Sequence, residues 1–307
     1  MNYLAMDLGG TDIKFAMLTK NGEIVHKDKV PTPDNTKMTV EGLVDLLVQI
    51  ITPYLPQIKG VALSLPGVLD SDTGHSFTGG SFYYLAGDNL PKRLMEKIPL
   101  PVTVENDGKA AALAEFWQGS LKDVTNGAAV ILGTAVGGGL IINREIYKGS
   151  TYAAGELSFL LTNPETDTYW GGHGGARALV KTVNEMLEKT DEPLDGYGVF
   201  ELAEAGDVAV LNAIDTYTSS LAKQLYNLQT LLDLDLIAIG GGISRQPLLM
   251  KYLQKNIDDF CNNHPFKPFM PAIPTPKITT CTHFNQANLI GALYHHLKQI
   301  TPEALND

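Results

Sequence analysis

The sequence predicts an α/β protein built from two similar halves, and three observations carry that prediction. Short apolar runs bounded by turn residues alternate with longer segments of helical spacing through most of the chain. Two β-turn-β units resemble each other. "AMDLGGTDIKFAMLTKNGEI" and "VILGTAVGGGLIINREIYKG" each hold a strand, a small-residue turn with a threonine, a second strand and then Asn-x-Glu-Ile, at Asn21–Ile24 and Asn143–Ile146. No long linker or low-complexity tract interrupts the plan, and 307 residues suffice for two domains of ordinary size.

The elements follow in order. "YLAMDL" and "DIKFAML" read as strands joined by a tight turn at Gly9-Gly10, and "EIVHKDKV" follows the turn Asn21-Gly22. "TVEGLVDLLVQIITPYL" has helical periodicity and stops near Pro53 and Pro56. "KGVALSLPGVLD" is a strand running into a Pro66-Gly67 turn. "LPVTVENDGKAAALAEFWQG" is a short strand, then Asn106-Asp107, then an alanine-rich helix ending near Gly119. "GAAVILGT" and "GGGLIINREI" form the second strand pair. Val210, Ile214, Tyr217, Leu221, Leu225, Leu228 and Leu232 make one helical stripe. The strand "LDLIAIGGGIS", a helix near 246–260, a strand near 276–280 and a last helix, 286–299, complete the chain. The halves divide near 118–125: residues 1–118 are expected to form an N-terminal α/β lobe and 119–307 a C-terminal one, with helix 286–299 packing back on the first.

Composition narrows the function. Hydrophobic residues are 44% and charged residues 19%, a globular profile. The formal net charge of -11 argues against nonspecific nucleic-acid binding, which needs a basic face. Two cysteines, Cys261 and Cys281, are too few for a disulfide scaffold or a cysteine zinc site, and read as reduced and buried. No apolar run approaches the ~20 residues of a membrane span, and Asp7 interrupts the apolar stretch at the N-terminus, so neither a membrane nor a signal peptide is expected. A cytoplasmic protein is the simplest reading.

The glycine turns point to phosphate. Glycine lets backbone approach a ligand closely with its N–H free to donate, and a threonine hydroxyl adds a donor. The turn at Gly9, Gly10 and Thr11 is not a P-loop, because the lysine motif is absent and a strand follows, and no G-x-G-x-x-G supports a Rossmann site. Taken alone it is a hairpin turn. Asp7 changes that balance: a carboxylate ending an apolar strand needs a cation or hydrogen-bond partners, and a Mg²⁺ escorted by phosphates would serve.

"MDLGGTDIK" (6–14) resembles the first phosphate motif of the actin-like ATPase and sugar-kinase superfamily. "LSLPG" (63–67), "VENDGKAAALAE" (104–115), "LGTAVGGG" (132–139), "AAGELSF" (153–159) and "IAIGGGIS" (237–244) follow in the order of the ROK-family sugar kinases, over nearly the whole chain. The last third is most similar to the bacterial β-glucoside kinases. The resemblance implies a two-lobed, ribonuclease H-like fold with a cleft between lobes, and ATP and Mg²⁺ as phosphoryl donor and cofactor. It places Asp7 beside the metal and transferred phosphoryl group, with Gly9, Gly10, Thr11, Gly133, Thr134, Gly240, Gly241 and Gly242 on the nucleotide side. Lys14 occupies the lysine of the D-x-G-G-T-x-x-K pattern; an outward-facing strand lysine is the equal alternative. Asp107 is the implied general base, an N-cap being its structural alternative. Asn106, Pro66, Gly67 and Glu156 are the implied sugar contacts. Glu105 points to the other side of its strand and is set aside. "FTGGSF" (77–82) and Asn89-Leu90 fall where the family's acceptor loop lies.

The sequence departs from that pattern in two places. Most ROK kinases carry G-E-x-G-H and a C-x-C-G-x-x-G-C zinc motif. Here the histidine position is Phe159, the stretch "TDTYWGGHGGARAL" has no cysteine, and the later glutamate falls near Gly171. Zinc is not expected, and Phe159 offers a face for a pyranose ring. His173 reads as a solvated loop residue, with replacement of a lost sugar ligand as the alternative. Ala135 stands where the second phosphate motif has glycine; if that backbone needs glycine, alanine is strained by ~1 kcal/mol or more. The expected activity is phosphoryl transfer to a primary hydroxyl, the 6-hydroxyl, of a β-glucoside or hexose. Glucose, fructose and N-acetylmannosamine are alternative acceptors. A silent sugar binder is the rival of another class, opposed by Asp7, Asp107 and Glu156. A ROK repressor is not expected, since six residues precede Asp7. A homodimer is expected from the family.

Overall fold

Prolines, small residues and caps set the element boundaries in the computed structural model of the protein, which describes residues 1–163, 165–189, 191–264 and 273–305. The chain divides into two compact units: Met1–Trp117 with Ile146–Ala154 and Gln286–Asp307, and Gln118–Glu145 with Gly155–Asn285.

In the first unit β1 (Asn2–Leu8) and β2 (Asp12–Thr19) pair antiparallel, and β3 (Ile24–Pro31) extends the edge. Helix α1 (Val40–Ile51) starts where Thr39 Oγ1 accepts the Gly42 N–H at 3.1 Å. It gives way to a 3₁₀ turn over 52–57 that holds Pro53 and Pro56, as proline removes the donor an α-helix needs. β4 (Ile58–Leu65) lies parallel to β1. A small hairpin, β5 (Leu69–Asp70) and β6 (His75–Ser76), and the Asn89-capped helix α2 (Leu90–Met95) lead to β7 (Val102–Asn106) and helix α3 (Asp107–Gln118). The sheet order is β3-β2-β1-β4-β7.

The second unit contains β8 (Gly127–Leu132), β9 (Val136–Ile142), the start of β10 (Glu145–Ile146), the pair β11 (Leu161–Asn163) and β12 (Thr168–Tyr169), and helices α4 (Trp170–His173), α5 (Ala176–Met186), α6 (Gly196–Glu204) and α7 (Val208–Leu232). Strand β13 (Leu236–Gly240), helix α8 (Pro247–Asn262) and β14 (Ile278–Thr280) follow. Its sheet order is β10-β9-β8-β13-β14. The predicted internal repeat is therefore topological. In each unit an antiparallel pair is extended, on the side of its first strand, by two parallel strands: β4 and β7 in one, β13 and β14 in the other. The stripe on α7 is as predicted at Val210, Ile214, Leu221, Leu225 and Leu228, all buried, while Tyr217 and Leu232 are partly covered.

Helix α9 (Ala287–Ile300) belongs to the first unit and packs on β1, β4 and β7. The two faces of that sheet differ. Leu4, Met6 and Leu8 of β1 join Leu43, Leu47 and Ile51 of α1 in an apolar core. The alternate positions, Tyr3, Ala5 and Asp7, share their face with Ala16, Gly60, Ala62, Ser64, Thr103 and Glu105, through the pleat and the strand register. This is the α9 face: Tyr3 meets the His296 ring edge-on at 5.5 Å, and Gly60 leaves room for His296. The alanine-rich composition of α3 has the same kind of cause. A Cβ at Gly291 of α9 would collide with the Ala110 carbonyl, so these helices touch backbone to backbone.

Candidate active site

In the first unit a row of polar side chains crosses the α9 face near the C-terminal ends of its parallel strands. The register pairs Lys14 with Asp7, Asp7 with Ser64, and Ser64 with Glu105. Asp7 is buried, and its Oδ1 accepts from Ser64 Oγ at 3.1 Å and from Asn288 Nδ2 of α9 at 2.9 Å. These two donors hold the carboxylate in the buried setting that its position demands. Lys14, its cross-strand neighbour, shares its face. The turn between Asp7 and Lys14 is closed by Gly9 N–H on Asp12 O at 3.1 Å and braced by Thr32 Oγ1 on Gly9 O at 2.6 Å. Gly10 and Thr11 are exposed. A single carboxylate suits Mg²⁺, which takes one or two protein carboxylates and the rest of its shell from water and phosphate oxygens. Asp7 is the residue that would hold it.

The residues of this unit expected to contact the sugar are knitted around Asn106. Its Nδ2 donates to Gly67 O at 3.0 Å and its Oδ1 accepts Lys109 N–H at 3.0 Å. The second bond is the N-cap of α3, so the cap is Asn106 and not Asp107. Asp107 occupies the first helical position, half-buried, with Oδ1 accepting the Gly108 N–H at 2.8 Å. Gly67 has φ +94°, and a Cβ there would lie 2.7 Å from Gly80 N and Thr78 O. Pro66 in turn packs on Gly80, where an added Cβ would lie 2.8 Å away. The Pro66-Gly67 turn and the 78–80 segment are thus locked together, and the glycines are structural requirements of that lock.

In the second unit, β8 and β13 are adjacent parallel strands, and the two predicted glycine turns leave their C-terminal ends side by side. Gly133 N–H closes the first turn on Ala135 O at 3.0 Å. Thr134 and Ala135 are exposed, and Gly133 has open space around it. Ala135 is not among the residues of positive φ, so the strain considered from the sequence is absent. Gly175, which precedes α5, seats the turn: a Cβ there would come within 2.7–2.9 Å of the carbonyl oxygens of Gly133, Thr134 and Ala135. In the second turn the glycines have different reasons. Gly240 packs against Ile131 and Cys281. Gly241 has φ +93° and presses on Leu132 O. Gly242 is exposed with nothing around it, the position at which a ligand could approach backbone.

Glu156 lies half-buried in a turn fixed by its neighbours. Leu157 is buried against Gly138 of β9, and Ser158 Oγ accepts Val136 N–H at 3.1 Å. Phe159 is 71% exposed and free to offer its ring. His173 lies at the end of α4, with Nδ1 3.1 Å from Tyr169 O and Nε2 3.4 Å from Thr162 Oγ1, beside a cavity of about 760 Å³ between α5 and α7. Cys281 is buried, whereas Cys261 on α8 is only half-covered, contrary to the expectation that both are buried.

Sequence reasoning missed Ser64, Asn288 and the buried Glu105. Ser64 lies inside the "LSLPG" motif and Asn288 in the "QANLIG" stretch, but only the strand register and the docking of α9 show that they meet Asp7.

The fold is that of the ROK sugar kinases. The ROK family profile matches residues 3–299, and the chain belongs to that family. A β-glucoside kinase of Listeria monocytogenes is 29% identical over 314 residues, covering 97% of this chain and 98% of the relative. The structure of a ROK family protein from Streptococcus pneumoniae in complex with sucrose matches with a TM-score of 0.85 at 30% identity, over 97% of this chain and 99% of that one. A ROK family glucokinase from Streptomyces griseus, solved with glucose and AMPPNP, shares the fold with a TM-score of 0.81 at 22% identity, over 96% and 98% of the two chains. Among the described residues no helix is long and apolar enough to cross a membrane.

Proposed function

We propose that the chain transfers the γ-phosphoryl group of ATP to the 6-hydroxyl of a β-glucoside. The kinase class follows from the family; the acceptor rests on the Listeria β-glucoside kinase and on the aromatic Phe159 at the position of a family histidine. The observation that carries the mechanism is the division of labour at the start of α3. Asn106 makes the cap and fixes Gly67, and Asp107, one residue on at the first helical position, is the carboxylate that acts on the acceptor.

In this reading Asp107 takes the proton of the attacking hydroxyl, and Asn106, Pro66, Gly67, Glu156 and Phe159 orient the sugar. Asp7 holds Mg²⁺, with Lys14 beside it, and Gly9, Gly10 and Thr11 receive phosphate oxygens, as do Gly133 and Thr134. Gly242 approaches the nucleotide, while Gly240 and Gly241 shape its turn. When bound, the metal neutralises charge on the phosphates. AMPPNP in the glucokinase of the same fold supports ATP as donor.

The test is an ATP-consumption screen across cellobiose, gentiobiose, arbutin, glucose, fructose and N-acetylmannosamine. The proposal expects kcat/KM for a β-glucoside at least ~10-fold above the monosaccharides. A preference for glucose, fructose or N-acetylmannosamine would keep the kinase and overturn the acceptor. Turnover with none of them would favour a silent sugar binder.

A further inference from the structure

Behind the candidate base lies a buried pair of ionisable groups that the proposed mechanism does not use. Glu105 is 1% exposed, and its own Oε1 accepts the backbone N–H of Asn106 at 2.8 Å. β7 is an edge strand of its sheet, so this side chain supplies the amide with an acceptor in a site closed to water. Glu105 Oε2 is buried without a hydrogen bond, and stands 3.5 Å from Nδ1 of His295 on α9. The other ring nitrogen, Nε2, is 3.3 Å from the carbonyl oxygen of Ser71.

The chemistry of this chain of contacts is constrained. A carbonyl oxygen only accepts, so Nε2 carries a hydrogen. Burial holds the His295 pKa below its ordinary value, opposed by Glu105 and reinforced by Lys148, so the ring has one proton near neutrality. Nδ1 then faces Glu105 Oε2 at 3.5 Å, so the imidazole orients the glutamate side chain that holds the Asn106 amide. We infer that Glu105 and His295 together act as positioning residues for Asp107, by clamping the Asn106 amide that fixes the β7–α3 junction. This rests on the kinase reading for its effect on turnover, but the clamp itself does not. The pair is set by two elements distant in sequence, so α9 reaches the base through Glu105 without touching substrate.

Glutamine at 105 would keep both functions, accepting the Asn106 N–H and donating its amide to Nδ1. Leucine would keep the volume and lose both. In the full-length protein, Glu105→Gln is expected to hold kcat within about 3-fold of wild type, and Glu105→Leu to lower it by ~10–100-fold with the sugar KM within about 3-fold. Amide exchange at residues 106–108 should quicken in Glu105→Leu and not in Glu105→Gln. His295→Leu should slow turnover in the same manner, and the double variant Glu105→Leu/His295→Leu should be no slower than Glu105→Leu, since the histidine acts through the glutamate. A folded Glu105→Leu protein with wild-type kcat and wild-type exchange at 106–108 overturns the inference. If that variant does not fold, His295→Leu decides: unchanged kcat overturns it, and a fall with unchanged sugar KM supports it. Should the wild type turn over no acceptor, the kinase reading fails by itself, and local exchange in the same variants still supports or overturns the clamp.

Discussion

Asn106 caps helix α3 by accepting the Lys109 N–H on Oδ1 at 3.0 Å, and this separates two roles that the sequence leaves merged in Asn106-Asp107. If Asp107 is the base, Asp107→Asn keeps shape and hydrogen bonding but cannot take the proton. Its kcat should fall ~10²–10⁴-fold, with a much smaller change in sugar affinity and little change in melting temperature. Asn106→Ala should instead destabilise the protein by about 1 kcal/mol or more, through the lost cap and the lost bond to Gly67. Steady-state kinetics beside thermal unfolding checks both. Near-normal turnover in Asp107→Asn would remove it as the base.

Adjacent glycines in "GGGIS" should respond differently to the same substitution. Gly241 has φ +93° and no room for a Cβ beside Leu132 O, so Gly241→Ala should cost about 2 kcal/mol or more of stability. Gly242 is exposed with open space around it, so Gly242→Ala should stay within about 0.5 kcal/mol of wild type. If Gly242 approaches the nucleotide, its alanine variant should raise KM for ATP while the sugar KM is unmoved. Denaturant unfolding and two-substrate kinetics separate these effects.

The two-unit plan was legible because its local signals agree. Prolines end α1, Thr39 starts it, and the glycine turns join short apolar runs. What joins distant segments was not. In β1 both faces are buried, Leu4, Met6 and Leu8 on one and Tyr3, Ala5 and Asp7 on the other, so no alternation reveals which residues meet. Ser64, Asn288 and Glu105 enter the site only through strand register and the docking of α9. Helices α5 and α6 went unseen for another reason. Gly196 and Gly198 are poor helix formers, and α6 is started by Asp195 capping Gly198 and by Asn184, whose side chain binds both backbone groups of Leu194.

His296 should make stability depend on acidity. It is buried, bonded through Nδ1 to Thr103 Oγ1 at 2.9 Å, with Nε2 unpartnered, and burial lowers its pKa to about 4. The unfolded chain, near 6.5, binds a proton first. The neutral ring therefore keeps its full contribution above pH 6.5, and that contribution is lost as pH falls from 6.5 toward 4, on the order of 3 kcal/mol in all. Urea unfolding across that range should show a shallower pH slope in His296→Leu than in wild type. Equal slopes would mean that His296 does not titrate this way.

Gly175 offers a test of the nucleotide side from a residue that need touch no ligand. A Cβ there would press at once on the carbonyl oxygens of Gly133, Thr134 and Ala135, all within 2.9 Å. Three backbone oxygens cannot rotate aside as a side chain could, so Gly175→Ala must move the turn or the start of α5. The fold can absorb a shift of an exposed turn, and the melting temperature should drop by only a few degrees. If that turn holds the phosphates, as proposed, its displacement would cost the alignment. KM for ATP should rise by ~10-fold or more and the KM for the sugar by clearly less, because, of the proposed sugar contacts, Asn106, Pro66 and Gly67 lie in the first unit, and Glu156 and Phe159 in the second. Equal losses for both substrates would instead indicate general disorder of the second unit. An unchanged KM for ATP would show that the turn at 133–135 does not hold the nucleotide.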